Sequence, residues 1–254
     1  MRMKRRIGAA VLLLACGGAA ANEVDVSCNV DSDYDFSLSE RSVILTRDSG
    51  APRRLVMRRG RLFVDDAWVP LDSADRRRLV DYEREARAVV PLARDIGREA
   101  TEIAFIALGE VAAGFSSDPD ATRGRLETAR AKLDRRLAGS MSANRFSNDE
   151  LGEAIGLAVR EVLPTVMGDI VSGAVRAAFG GDVARLERME NLDAELEALI
   201  EPRAEALGRK AERLCARMEA LDRIDDALEY RLPDGRPLDL LQVERTSRRR
   251  ADGA

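Results

Sequence analysis

The sequence predicts an α+β protein, mainly α, in which a small N-terminal antiparallel β-sheet precedes a bundle of long helices. Two observations predict it. From Val24 to Leu71 apolar residues alternate in short runs broken by Gly, Asp and Ser, the pattern of strands joined by tight turns. Beyond Leu71 the apolar positions fall three and four apart, the beat of amphipathic helices. A third observation sets the context. Met1 to Arg6 is basic, Ile7 to Ala15 carries no charge, and small residues end the run at Ala19-Ala20-Ala21.

That leader has the parts of a secretory signal peptide over residues 1–21, and its apolar run is shorter than the ~20 residues a membrane-spanning helix needs. Two ways of processing it stay open. Cleavage after Ala21 would release a free periplasmic protein. Leu13-Leu14-Ala15-Cys16 also fits a lipobox, which would make Cys16 a lipidated first residue and tether the chain to a membrane. No later stretch is free of charge for long enough to cross a bilayer. Loss of the leader removes four cations (Arg2, Lys4, Arg5, Arg6) and moves the formal charge from −4 to −8. So acidic a chain is not expected to bind nucleic acid, which requires concentrated cations. The runs Arg76-Arg77-Arg78 and Arg248-Arg249-Arg250 read as a solvated helix face and a frayed tail.

Within residues 22–72, Tyr34, Phe36 and Leu38 recur at every second position. The runs Val43-Ile44-Leu45, Leu55-Val56-Met57, Leu62-Phe63-Val64 and Ala67-Trp68-Val69 follow, giving four or five strands. A face containing Phe63 and Trp68 should need cover, because a small sheet is marginal until it packs on helices.

Residues 73–228 read as the helical bundle. Asp72 or Ser73 can cap the first helix. Its seam of Leu79, Tyr82, Ala86, Val89, Ala93, Ile96, Ala100, Ile103 and Ala107 has the a/d spacing of a helical hairpin or coiled coil. Pro91 predicts a kink or two abutting helices. Asp118-Pro119 caps a second helix that runs through Leu126, Leu133 and Leu137 to Gly139. Ser147 and Glu150 are spaced as a capping box for a third helix, the most apolar, from Leu151 to Gly180-Gly181. The last helix extends from Asp182 to about Leu228, with Pro202 inside it. Residues 229–254 hold a turn at Leu232–Pro237, one strand over Leu238–Val243 and a frayed tail from Thr246. Residues 22–245 are expected to form one composite domain.

Cys28 and Cys215 survive either processing of the leader, and an exported chain with two thiols most simply joins them in a disulfide. The closed loop of 187 residues gives the bond a ceiling of roughly 5 kcal/mol.

The order of several marks resembles the YggN-type family of uncharacterised exported proteins of Gram-negative bacteria. These are Cys28-Asn29-Val30, the run Leu62-Phe63-Val64-Asp65-Asp66, Tyr82, Pro91 and Cys215. The resemblance covers roughly Cys28 to Leu228. It implies export and a cysteine pair, and carries no activity or catalytic residue. Cys16 departs from the family's pattern.

The chain contains no histidine. That excludes histidine-based nucleophilic catalysis, His-ligated zinc and His general bases. Catalytic, cofactor-binding and metal-ligating residues are therefore all assigned as none, and no cofactor is expected. Carboxylate chemistry needs two acids facing one bond; a pair such as Glu102 and Glu110 reads instead as solvated helix face. Asp31-Ser32-Asp33-Tyr34-Asp35 opens like a calcium loop, but the Gly and Glu such a loop requires are replaced by Phe36 and Ser42.

The expected function is that of a non-enzymatic cell-envelope protein binding a protein, lipid or cell-wall partner in the periplasm. The alternatives are a periplasmic holdase and a carboxylate-dependent enzyme acting on an envelope polymer. Neither the partner nor the oligomeric state is readable from the sequence.

Overall fold

A computed structural model describes residues 24–116, 118–142, 145–147 and 183–249, with isolated helical positions between 153 and 172. The chain is α+β and mainly α. Six N-terminal strands come first: β1 (Val24–Asp31), β2 (Asp35–Leu38), β3 (Val43–Thr46), β4 (Arg54–Arg58), β5 (Arg61–Val64) and β6 (Ala67–Val69). Helices α1 (Ser73–Phe115) and α2 (Pro119–Ser140) follow, then strands β7 (Met141–Ser142) and β8 (Arg145–Ser147). Helix α3 (Val183–Asp226) and strand β9 (Gln242–Arg249) complete the described elements. The third helix read from the sequence, Leu151 to Gly181, lies outside the described residues but for isolated helical positions. Ser147, its expected cap, ends β8.

Two compact units are formed. One comprises Met1–Ala93, Met141–Asn148 and Lys210–Ala254; the other comprises Arg94–Ser140 and Asp149–Arg209.

In the first unit, β2 to β6 form an antiparallel meander that β8 and β7 extend, in the order β6-β5-β4-β3-β2-β8-β7. Two tight turns fix its register. Arg59 and Gly60 both have positive φ (52° and 71°), the two-residue geometry that matches strand twist. Gly60 is required twice over, since a Cβ there would lie 2.7 Å from the Arg76 carbonyl oxygen of α1. Asp65 and Asp66 (φ 47° and 68°) make the second such turn, and Asp65 Oδ1 accepts the Arg53 and Arg54 amides.

Alternation then sorts the side chains. Leu38, Val43, Leu45, Leu55, Met57 and Leu62 are buried on one face. Ile44, Val56, Phe63 and Trp68 form the row on the other face, and Trp68 is 62% exposed. The expectation that Phe63 and Trp68 mark the covered face is thus corrected. Register places them one residue out of phase with the buried row, and one residue is enough to change faces.

Asp72 caps α1 by accepting the Asp75 amide at 2.7 Å. In the first unit the helix buries Leu79, Tyr82, Ala86 and Val90. Val90 replaces the expected Val89, because a strict 3.5-residue seam drifts about 20° per heptad on a 3.6-residue helix. Further on, Ile96 is half-buried, Ala100 is exposed and Ile103 is buried. Pro91 and Pro202 stand inside continuous helices. Helix α1 crosses one end of the sheet. Glu83 accepts the Arg59 and Gly60 amides at 3.0 and 2.8 Å, and Arg87 donates to the Ser39 carbonyl at 2.8 Å.

The C-terminal strand exists but begins later than the sequence suggested. Leu238, Leu240 and Leu241 are buried side chains, and the Leu240 and Leu241 amides are held by Asp225. Those amides are unavailable to a ladder, so pairing starts at Gln242 opposite Asp31 and runs to Arg249 opposite Val24. Thr246 to Arg249, expected to fray, are paired strand because β1 supplies their ladder partners. Cys28 of β1 is bonded to Cys215 of α3, with Cα atoms 5.9 Å apart. The bond fastens this two-stranded sheet to the helix.

In the second unit, Asp118 caps α2 by accepting the Ala121 amide at 3.0 Å. Ala112 and Leu126 form a buried contact flanked by Phe105 and Leu108. The turn between α1 and α2 is closed by a buried Ser116–Thr122 hydroxyl pair at 2.9 Å.

Replacing both Cys28 and Cys215 by Ser should lower unfolding free energy by about 2–5 kcal/mol, the range typical for a long-loop disulfide. Urea denaturation measures it. An unchanged midpoint would show that the β1–β9 ribbon needs no covalent tie.

Candidate functional site

Chemistry-bearing side chains of the first unit fall into three groups. The first is a set of acids at half-buried or buried positions on the helices. Asp75, 3% exposed in the first turn of α1, accepts the Glu229 amide at 3.1 Å, the Tyr230 amide at 2.8 Å and the Arg78 guanidinium at 2.7 Å. Glu83 holds Arg59 and Gly60 as described above. On α3, Asp222 accepts the Val243 amide at 3.1 Å. Asp225, 2% exposed, accepts Leu240 at 2.6 Å and Leu241 at 3.3 Å through Oδ2, while its buried Oδ1 has no hydrogen-bond partner among the described residues. Burial pushes the Asp225 carboxyl up to about 7 against the pull of the two amides, and Asp239 and Asp226 push the same way. Burial likewise raises Asp222. Burial also suppresses ionisation of Tyr82, and the Asp225 and Asp222 charges act in the same direction.

The second group lines a cleft of about 270 Å³ between the end of β1, the start of β3's turn and the C-terminal segment. Arg47 dominates it. Its Nε donates to the Pro52 carbonyl at 2.6 Å, its Nη1 lies 3.9 Å from Asp33, and its guanidinium carbon stands 4.8 Å above the Tyr34 ring. Its buried Nη2 has no hydrogen-bond partner among the described residues. Burial is the main cause that raises the Tyr34 hydroxyl's pKa, opposed by Arg47 and reinforced by Asp33. Arg236 also lines the cleft, donating to Asp234 and to the Ala51 carbonyl. Asp31, Asp33 and Asp239 share the lining, so the cleft offers mixed charge rather than one sign.

The third group is the open face of the meander. Arg54, Arg58 and Arg61 stand on it beside Ile44, Val56, Phe63 and Trp68, all by strand alternation. Arg58 is directly opposite Arg61. Among the described residues neither makes an ion pair, whereas Arg54 pairs with Asp66 at 3.2 Å.

The residues singled out from the sequence are now placed. Cys28 and Cys215 are joined, and Cys16 lies outside the described residues. Glu102 is exposed and 3.9 Å from Arg130; Glu110 is half-buried two turns on. Asp31 ends β1 and Asp35 opens β2, so the calcium-like run is two strand ends and a turn. Arg78 of the basic helix run bridges Asp75 and Glu229. Sequence reasoning missed Asp75, Glu83 and Asp225, whose roles depend on distant amides. It also missed a legible signal: Arg53, Arg54, Arg58, Arg59 and Arg61 give five cations and no acid in nine residues.

A protein-family model matches residues 28–241. The chain belongs to that family, described as protein of unknown function (DUF2884). The DUF2884 span opens on the disulfide's Cys28 and closes on Leu241, whose amide Asp225 holds. No curated protein and no solved structure matches the chain. No helix among the described residues is long and apolar enough to cross a membrane.

A carboxyl held at about 7 when folded and at 3.8 otherwise favours the folded state below pH 4, and loses that contribution as pH rises through 7. At about 1.4 kcal/mol per tenfold change, the loss is roughly 4 kcal/mol at most. Stability should therefore fall between pH 4 and pH 7, with Asp222 adding in the same direction. Asp225→Asn should remove most of that slope in urea titrations. A slope equal to the parent's would assign the pH dependence elsewhere.

Proposed function

We propose that this DUF2884 member is a YggN-type exported protein that acts in the periplasm as a binding or structural component of the cell envelope, without enzymatic activity. The observation that carries this reading is how the reactive side chains are used. The two thiols are bonded to each other, and Asp75, Glu83 and Asp225 each hold a pair of backbone amides. At Asp75 and Glu83 both carboxylate oxygens are engaged in this way and are not free to move a proton at a substrate, while Asp225 is 2% exposed and lies beneath the C-terminal segment whose amides it holds. Among the side chains that the first unit leaves exposed are Trp68, Arg58 and Arg61 on one sheet face, a feature suited to contact.

Export is supported by the basic head, apolar run and Ala-rich exit of residues 1–21. A disulfide that spans most of the chain agrees with an oxidising compartment. Lipidation at Cys16 and cleavage after Ala21 lead to an anchored and a free form respectively.

The test has two arms. Fatty-acid labelling that Cys16→Ala abolishes identifies the anchored form; an N-terminus at Asn22 identifies the free one; a mature chain retaining Met1 overturns export. Crosslinking in intact cells should join the protein to an envelope component, while purified protein leaves cell-wall and glycan polymers intact. Turnover of such a polymer, abolished by changing one acid to its amide, would overturn the non-enzymatic reading.

A further inference from the structure

The meander's open face brings together features that each have a cost when left in water. Trp68 is 62% exposed on a short edge strand, cross-strand from Phe63, with Val56 and Ile44 continuing the row inward. Arg58 and Arg61 are placed directly opposite each other, where like charges repel across the ladder. The Arg59–Gly60 turn that forces this opposition is itself held by the Glu83 carboxylate, so the two arginines are kept in cross-strand register by built structure. All this stands on a chain of net charge −4.

We infer that this face of the sheet docks on an anionic lipid surface, its Trp68–Phe63–Val56 row entering the headgroup boundary while Arg58 and Arg61 meet phosphates. The inference rests on the binding reading above and gives its partner a chemistry. Apolar and aromatic residues at the middle with guanidiniums at the border is the arrangement of interfacial attachment. Indole rings favour the headgroup level, where one edge is wet and the face is not. An anionic layer converts the Arg58–Arg61 repulsion into attraction shared by both. Each such cation near an anionic bilayer is worth about 1 kcal/mol, roughly a fivefold change in partitioning. Arg54, already paired with Asp66, contributes less.

Trp68 is the chain's only tryptophan, so its fluorescence reports from the face itself. The protein is mixed with vesicles of phosphatidylcholine, with and without phosphatidylglycerol. Only the anionic vesicles should shift Trp68 emission to the blue and shield it from iodide. Arg58→Ala and Arg61→Ala should each weaken partitioning roughly fivefold, and Trp68→Ala should weaken co-sedimentation; all variants share one N-terminus, so any contribution of the leader cancels. Because all three side chains are exposed, melting should match the parent, and that measurement accompanies each variant. Emission unchanged by anionic vesicles overturns the inference. So does a shift produced by a single-stranded oligonucleotide but not by vesicles, the result expected if the aromatics stack bases. So does partitioning that survives Arg58→Glu with Arg61→Glu. A crosslinker at position 68 that joins one protein in cells while vesicles leave Trp68 unchanged would sink the lipid inference and leave the binding reading standing; polymer turnover would do the reverse.

Discussion

A ribbon of two strands does not hold its shape in water, and here such a ribbon joins the start of the chain to its end. The pairing of β1 with β9 is therefore conditional on whatever fixes it to the rest of its unit. Three attachments to α3 do so within eleven residues of that helix. Cys215 takes β1 through Cys28, Asp222 takes the Val243 amide at the root of β9, and Asp225 takes the two amides just before it. Buried Leu238, Leu240 and Leu241 add apolar anchorage of roughly 1.5–3 kcal/mol each. The covalent bond limits how far the ribbon can depart; the carboxylates set its register.

The same device recurs along α1. Asp75 and Glu83 reach out of a helix to collect amides that no strand or helix satisfies. A buried amide left without a partner costs about 1–3 kcal/mol, so each acid removes two such penalties. The acid's own desolvation is the counterweight. At Asp75 a guanidinium contributes as well, through Arg78. Among the described residues no cation pairs with the Asp225 carboxyl and its second oxygen has no hydrogen-bond partner, while Asp239 and Asp226 push its pKa up further. The same pairwise geometry at Asp225, without a guanidinium beside it, leaves an acid that burial pushes up to about 7.

Local chemistry was legible wherever the determining residues are neighbours in sequence. Asp72 and Asp118 as helix caps, the extent of α3 and the strand-turn rhythm from β2 to β6 all follow from adjacent residues. What depended on registering distant segments was less so. Phe63 and Trp68 resemble core residues by type, and only strand register shows them on the outer row. Leu238 to Leu241 resemble a strand by composition, and become buried anchors because an acid fifteen residues earlier claims their amides. The disulfide was legible from a different kind of constraint, the scarcity of thiols in a chain with an export leader.

The acidity of the whole chain concealed its most basic segment. Arg53 to Arg61 was unremarked in the sequence because two aspartates follow at once and net charge averages over all residues. Folding separates what the sequence mixes. Asp65 holds the Arg53 and Arg54 amides, Asp66 pairs with Arg54, and Arg58 and Arg61 are left at the far end of the hairpin, past the reach of either acid's hydrogen bonds. Local field, not net charge, governs what approaches a surface, since screening confines each charge to about 8–10 Å at ordinary salt. An acidic protein can in this way carry a cationic face, and the tight turn pinned by Glu83 is what keeps that face from relaxing.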